Sequence, residues 1–191
     1  AIPTASFTLP PTNCLTDPTC FTDASSFVNG TAACWNWSFG DNTNAIGTTV
    51  CHTYASAGTY QVTFTVCDNH GCTDDTTMPV TIYVKPTAIF SLNDSVVCAN
   101  EPICATDVST GNGDQLTTWS WDFGDGTTSN VQNPPCHLFP IPPAPSYQIS
   151  LVVATQNGCV DSARRNVVVN EYPNADFTWS VVCEDEGMPL A

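Results

Sequence analysis

The chain has 191 residues, of which only Lys85, Arg164 and Arg165 are basic against 18 acidic, for a net charge of -15. Phosphate backbones and anionic membranes repel such a surface, so no nucleic-acid partner is expected. With 42% hydrophobic residues the chain is not disordered, and with no run of 18 apolar residues no membrane insertion is expected. Eleven cysteines without a Cys-x-x-Cys pair point to disulfides formed in an oxidising compartment, away from zinc ribbons or redox motifs. Ala1-Ile2-Pro3 carries no basic or apolar leader, so any export signal is expected to have been removed already.

In chain order the first landmark is Pro3-Thr4-Ala5-Ser6-Phe7, followed by Cys14 and Cys20 and then Asn29-Gly30-Thr31. Cys34 precedes Trp35-Asn36-Trp37-Ser38-Phe39, where Trp35, Trp37 and Phe39 share the core face of a strand and Asn36 and Ser38 point outward. Gly40-Asp41-Asn42 supplies a turn, since Gly and Asn tolerate the left-handed conformation and Asp bonds the backbone beyond it. Cys51-His52-Thr53-Tyr54 and Gly58-Thr59-Tyr60 follow, and Tyr60 stands where a tyrosine corner would pin the preceding loop. Residues 61–66, Gln-Val-Thr-Phe-Thr-Val, alternate polar and apolar as a half-buried strand does, ending at Cys67. A hairpin tip over Asp68-Asn69-His70-Gly71 leads to Cys72, and Val80-Thr81-Ile82-Tyr83-Val84 closes the unit.

The series then begins again, about 84 residues on. Trp119-Ser120-Trp121-Asp122-Phe123-Gly124-Asp125-Gly126 repeats the strand and turn, Cys136-His137 repeats Cys51-His52, and Gly158-Cys159 repeats Gly71-Cys72. Pro86-Thr87-Ala88-Ile89-Phe90 and Pro173-Asn174-Ala175-Asp176-Phe177 both repeat the opening. The units are read as repeat 1 over 1–84, repeat 2 over 85–171 and, over 172–191, the opening strand of a third, as if cut from a longer array or used as an assembly strand. The short joints Val84-Lys85-Pro86 and Glu171-Tyr172-Pro173 contain no flexible spacer, so neighbouring repeats are expected to abut as a semi-rigid rod. Strands of period two broken by Gly, Asn, Asp and Pro, with no helical periodicity, indicate an all-β fold of tandem two-sheet sandwiches.

The motif Trp-Asp-Phe-Gly-Asp-Gly at 121–126, with His137-Leu138-Phe139, resembles the PKD domain family. So does its counterpart from Trp37 to Asn42, with His52-Thr53-Tyr54 and Gly58-Thr59-Tyr60-Gln61-Val62. The resemblance covers nearly the whole chain and implies immunoglobulin-like sandwiches of the kind found in bacterial secreted and surface proteins. Repeat 2 departs from the pattern by carrying a proline-rich stretch from Pro140 to Tyr147, making its loop longer and stiffer. Function is implied only loosely: such modules act as spacers, adhesins, filament parts and accessory domains of enzymes.

Comparison of the repeats narrows the disulfides. Cys98, Cys104, Cys136 and Cys159 match Cys14, Cys20, Cys51 and Cys72, whereas Thr118 and Ala154 replace Cys34 and Cys67, so the two lost together are expected to be partners. In an immunoglobulin-like topology they would lie on neighbouring antiparallel strands. The remaining four cysteines per repeat allow three pairings. The preferred one joins Cys14 to Cys20 and Cys51 to Cys72, and likewise Cys98 to Cys104 and Cys136 to Cys159. Cys183 is left for a later partner or for a bond between chains.

No catalytic set is expected, because His52 and His137 share a structural repeat position and His70 falls in a turn. Asp74-Asp75 and Glu184-Asp185-Glu186 are read as solvated charge. No cofactor is expected, calcium at Gly111-Asn112-Gly113-Asp114 or at the Gly-Asp-Gly turn being the exception considered, without EF-hand spacing. Asn29, Asn36 and Asn93 lie in Asn-x-Ser/Thr triplets, and Ser95 and Ser162 in Asp-Ser-aliphatic triplets, all candidates for glycosylation. The expected role is a segment of an extracellular fibre, stalk or surface adhesin, contacting copies of itself or neighbouring repeats by end-to-end or strand-addition contacts. The alternative is a carbohydrate- or protein-binding accessory module, with Phe139, Tyr172 or Trp179 as a platform for surface glycans or proteins.

Overall fold

The computed structural model describes residues 2–28, 30–140, 146–171 and 175–178, and among these there is no helix. The first seven strands are β1 (Phe7–Thr8), β2 (Thr19–Asp23), β3 (Ala32–Ser38), β4 (Asn44–Ile46), β5 (Thr49–His52), β6 (Gly58–Asp68) and β7 (Thr73–Ile82). They form two sheets, of order β1-β2-β5 and β4-β3-β6-β7, with every pairing antiparallel. A parallel bridge from Cys14 to Tyr83 extends the second sheet beyond β7.

The next seven repeat the plan: β8 (Phe90–Leu92), β9 (Val96–Cys98), β10 (Ala105–Asp107), β11 (Leu116–Asp122), β12 (Thr128–Ser129), β13 (Tyr147–Thr155) and β14 (Val160–Asn170). Here the sheets are β10-β8 and β12-β11-β13-β14-β9. The strand β9 lies parallel to β14 and matches Cys98 with Asn170, as the bridge matches Cys14 with Tyr83.

The alternation read from sequence sets the burial. Along β6, Val62, Phe64 and Val66 are fully buried between half-buried threonines, and along β13 Ile149, Leu151 and Val153 are buried in the same way. Each sandwich has its own core, one drawn from 7–82 and the other from 88–169. At the centre of the first, Trp37 stacks on Phe64 with ring centroids 4.0 Å apart and meets the edge of Phe7 at 5.2 Å. Trp121 takes the same place in the second, against the edge of Phe90 at 5.1 Å. A buried indole N–H needs an acceptor, and the two donate to the carbonyls of Gly47 and Val131.

Trp35 lies at the margin of the core face and is only half-buried, because its Nε1 donates to the Asp23 carboxylate at 2.8 Å. Trp119 and Asp107 reproduce this contact at 2.7 Å. Of the expected third-repeat strand, only 175–178 is described, and those four residues form no strand; 172–174 and 179–191 lie outside the described residues.

Candidate functional site

The turn after each core tryptophan strand carries an aspartate that reaches a histidine 11 or 12 residues on. Asp41 Oδ2 and His52 Nε2 are 2.7 Å apart, as are Asp125 Oδ2 and His137 Nε2. The imidazoles stack on Phe39 and Phe123, each at 4.3 Å between centroids, and meet Tyr54 and Phe139 edge to face. Burial works to raise the Asp41 carboxyl, but hydrogen bonds from the Thr43 hydroxyl, His52 and the Thr43 amide outweigh it and hold the group below the usual carboxylate range. Asp125 is lowered against burial in the same way, by Thr127 and His137.

Threonine, histidine and aspartate together invite comparison with a catalytic triad, and the geometry argues against it. In a triad the base uses one ring nitrogen for the nucleophile and the other for the carboxylate. Here Thr43 and Asp41 both approach Nε2 of His52, and the Thr43 hydroxyl donates to Asp41. The same holds for Thr127, Asp125 and His137. The group is a latch between a turn and a neighbouring strand.

The junction between the repeats is the other distinctive site. Cys14, beside the end of β7, is joined by a disulfide to Cys159 in the β13–β14 hairpin, with Cα atoms 5.7 Å apart. Both cysteines are buried. The hairpin turns at Gly158, whose φ is +82°, and a Cβ built there would lie 3.1 Å from the Thr12 hydroxyl. In the connection itself, Asn112 Nδ2 donates to the Lys85 carbonyl and the Thr87 hydroxyl, each at 2.8 Å, and Pro86 is buried. Lys85 pairs with Asp17 at 2.6 Å on the surface. A cleft of about 350 Å³ runs along the joint between Ile82–Val84 and Asn112–Asp114.

This arrangement corrects the preferred disulfide pattern. Cys20 bonds Cys51 and Cys104 bonds Cys136, while Cys72 and Cys98 carry free thiols. Cys20 and Cys51 are register partners on β2 and β5, whereas Cys14 sits at the edge of the opposite sheet, against Tyr83. Cys104 follows Ile103, which bridges to His137 next to Cys136, while Cys98 lies beside β14 in the other sheet. Hence neither Cys14–Cys20 with Cys51–Cys72 nor Cys98–Cys104 with Cys136–Cys159 can form. Cys34 and Cys67 are cross-strand partners on β3 and β6, linked by a disulfide with Cα atoms 5.0 Å apart. Cys183 lies outside the described residues.

Among the glycosylation candidates, Asn36, Asn93, Ser95 and Ser162 are exposed, and Asn29 lies outside the described residues. The Asn93 side chain is held locally: its Oδ1 accepts from the Cys104 amide at 2.7 Å and its Nδ2 donates to the Pro102 carbonyl. Phe139 is 5% exposed and stacks on Tyr147, so it belongs to the core and not to a ligand platform. Tyr172 and Trp179 lie outside the described residues. No three His, Cys, Asp or Glu side chains converge for a metal among the described residues. In the Gly111–Asp114 loop, Asn112 serves the junction as above and Asp114 accepts from Asn157.

Two functional roles escaped the sequence reading. Asp74, which the sequence suggests is solvated charge, accepts from the Ala5 amide at 2.7 Å, and Asp161 accepts from the Ala88 amide at 2.8 Å. Each thus pins the opening segment of its repeat to the last strand. The signal was present in the repeat itself, since Gly71-Cys72-Thr73-Asp74 aligns with Gly158-Cys159-Val160-Asp161. The bond across the junction is the second, because the correspondence of cysteines between repeats does not show which of them meet across a joint.

A family model described as PKD domain matches residues 1–82 and again 83–169. Among solved structures, the PKD1 domain of the Vibrio cholerae metalloprotease PrtV is 27% identical, spans 43% of this chain and 98% of its own, and has a TM-score of 0.40. The PKD1 domain of Vibrio anguillarum Epp is 28% identical over 44% of this chain and 96% of its own, with a TM-score of 0.41. The fibronectin(III)-like modules of Clostridium thermocellum CbhA are 14% identical over 91% of this chain and 100% of their own, with a TM-score of 0.49.

Proposed function

The chain belongs to the PKD domain family, and from that membership we propose that it is a load-bearing segment of an extracellular fibre, stalk or surface adhesin. The observation that carries this reading is the buried Cys14–Cys159 disulfide. A flexible tether between independent modules needs no covalent bond across its joint, whereas a rod that must hold its axis under bending or pulling gains from one. Three further disulfides lie within the repeats and limit how far either sandwich can be extended before a covalent bond takes the load. Disulfides of this density belong to secreted proteins.

The role is mechanical and not catalytic, in keeping with histidines committed to the aspartate latches. The test is immunogold electron microscopy of producing cells with antibody to this chain. Label along extended surface structures is the expected result. Label confined to the cell interior, or to a soluble fraction with enzyme activity, overturns the reading.

A further inference from the structure

The two free thiols occupy the same local geometry as the two halves of the junction disulfide. Cys98 is the counterpart of Cys14. Ala99 N donates to the Asn170 carbonyl and Leu15 N to the Tyr83 carbonyl, both at 2.8 Å. Glu101 N closes a turn on the Cys98 carbonyl and Asp17 N on the Cys14 carbonyl, both at 3.0 Å. Cys72 is likewise the counterpart of Cys159: each follows a glycine at φ +82°. The Cys72 carbonyl accepts from Asp68 N and the Cys159 carbonyl from Thr155 N, both at 2.9 Å.

Within one repeat these two kinds of cysteine cannot meet. Cys159 immediately precedes β14 and Cys98 is matched to Asn170 at its far end, so at about 3.3 Å per residue they stand roughly 35 Å apart. Cys72 and Cys14 are separated in the same way by the length of β7. The bond therefore forms only between one repeat's edge cysteine and the hairpin cysteine of the repeat after it, as Cys14 and Cys159 do. Among the described residues the hairpin cysteine Cys72 and the edge cysteine Cys98 have no such partner, and they lie at opposite poles of the pair of repeats. Val96, two residues before Cys98, is 52% exposed, while Thr12, at the same place before Cys14, is half-buried against Gly158.

We infer that Cys98 and Cys72 are the two complementary halves of an intermolecular joint, in which Cys98 of one copy forms a disulfide with Cys72 of the next, repeating the Cys14–Cys159 contact. This rests on the structural reading above and adds the covalent contact that propagates it. The contact is heterologous, using different surfaces on its two sides, so it generates an open chain and not a closed dimer. The chemistry is thiol–disulfide exchange with a small disulfide oxidant. A thiolate of one cysteine displaces one thiol from the oxidant to give a mixed disulfide, and the other cysteine then displaces the second. Two protein thiols lose two protons and two electrons, and one oxidant disulfide becomes two thiols.

The experiment uses the full chain carrying Cys183→Ala, incubated with oxidised glutathione and read by non-reducing electrophoresis and peptide mapping. The expected result is a ladder of oligomers that reduction collapses, containing a Cys72–Cys98 linked peptide. Cys72→Ala and Cys98→Ala each abolish the ladder, yet mixing the two variants restores a dimer and nothing larger. Symmetrical Cys98–Cys98 or Cys72–Cys72 links in equal yield overturn the inference. So does complete alkylation of both thiols after oxidation. Surface fibres that persist unchanged in a Cys72→Ala/Cys98→Ala variant overturn this joint while leaving the fibre reading intact, whereas the immunogold test addresses that reading alone.

Discussion

Cys14 and Cys159 are 145 positions apart in sequence and lie on different sandwiches, yet their Cα atoms are 5.7 Å apart and their sulfurs are bonded. The bond closes a loop that contains all the strands except β1 and β14, so it couples two cores that share no residue.

Removing it with Cys14→Ser/Cys159→Ser uncouples the sandwiches. Closing a loop of this length stabilises the folded chain by about 3–5 kcal/mol, the lower figure reflecting the disulfides nested inside it. Differential scanning calorimetry is expected to show the wild-type transition split into two at lower temperature. Small-angle scattering is expected to show a wider spread of inter-repeat angles. An unchanged single transition contradicts the coupling.

The aspartate latches give the protein an acid limb. Asp41 and Asp125 have folded pKa values below the usual carboxylate value of about 3.9. Their stabilisation is therefore complete above about pH 4 and is lost as pH falls through the lowered folded values. Tm measured from pH 7 to pH 2 is expected to hold until about pH 4 and then drop. Asp41→Asn/Asp125→Asn has a lower Tm at neutral pH and a flatter acid limb.

Gly124 and Gly126 differ by two positions and both have positive φ, at +80° and +92°. A Cβ on Gly124 would lie 2.7 Å from the Gln148 carbonyl oxygen, whereas one on Gly126 meets nothing within 4 Å. Gly126→Ala thus carries only the left-handed backbone penalty of about 1–2 kcal/mol. Gly124→Ala adds a clash with backbone and costs about 3–4 kcal/mol. Denaturant titration of the two variants separates these values, and Gly40→Ala, facing Gln61 at 2.6 Å, is expected to follow Gly124→Ala.

Asn13 is 7% exposed beside the junction, and its side-chain carbonyl has no hydrogen-bond partner. Val97 holds the corresponding position in repeat 2 and is equally buried. An unsatisfied buried acceptor costs about 1–3 kcal/mol, and an apolar replacement of similar shape removes that cost. Asn13→Val is expected to raise the Tm, and a fall would show that the amide makes a contact worth keeping.

The fold of each unit is legible in its residue pattern. The period of two along 61–66 put Val62, Phe64 and Val66 inside, and the recurring tryptophan strand placed Trp37 and Trp121 at the two core centres. These follow from local alternation, in which successive side chains must face opposite sides of a sheet. The 84-residue repeat also shows which residues correspond, including the turn aspartates, the histidines and the cysteine positions, while the Asp–His contacts appear only in the structure. Correspondence does not name partners, however. Whether Cys14 meets Cys20, Cys72 or a cysteine of the next domain depends on which pole of the sandwich each occupies and on how one pole seats on another. That is set by three-dimensional packing, because an edge cysteine and a hairpin cysteine lie a full strand apart within one repeat and come into bonding range only across a junction.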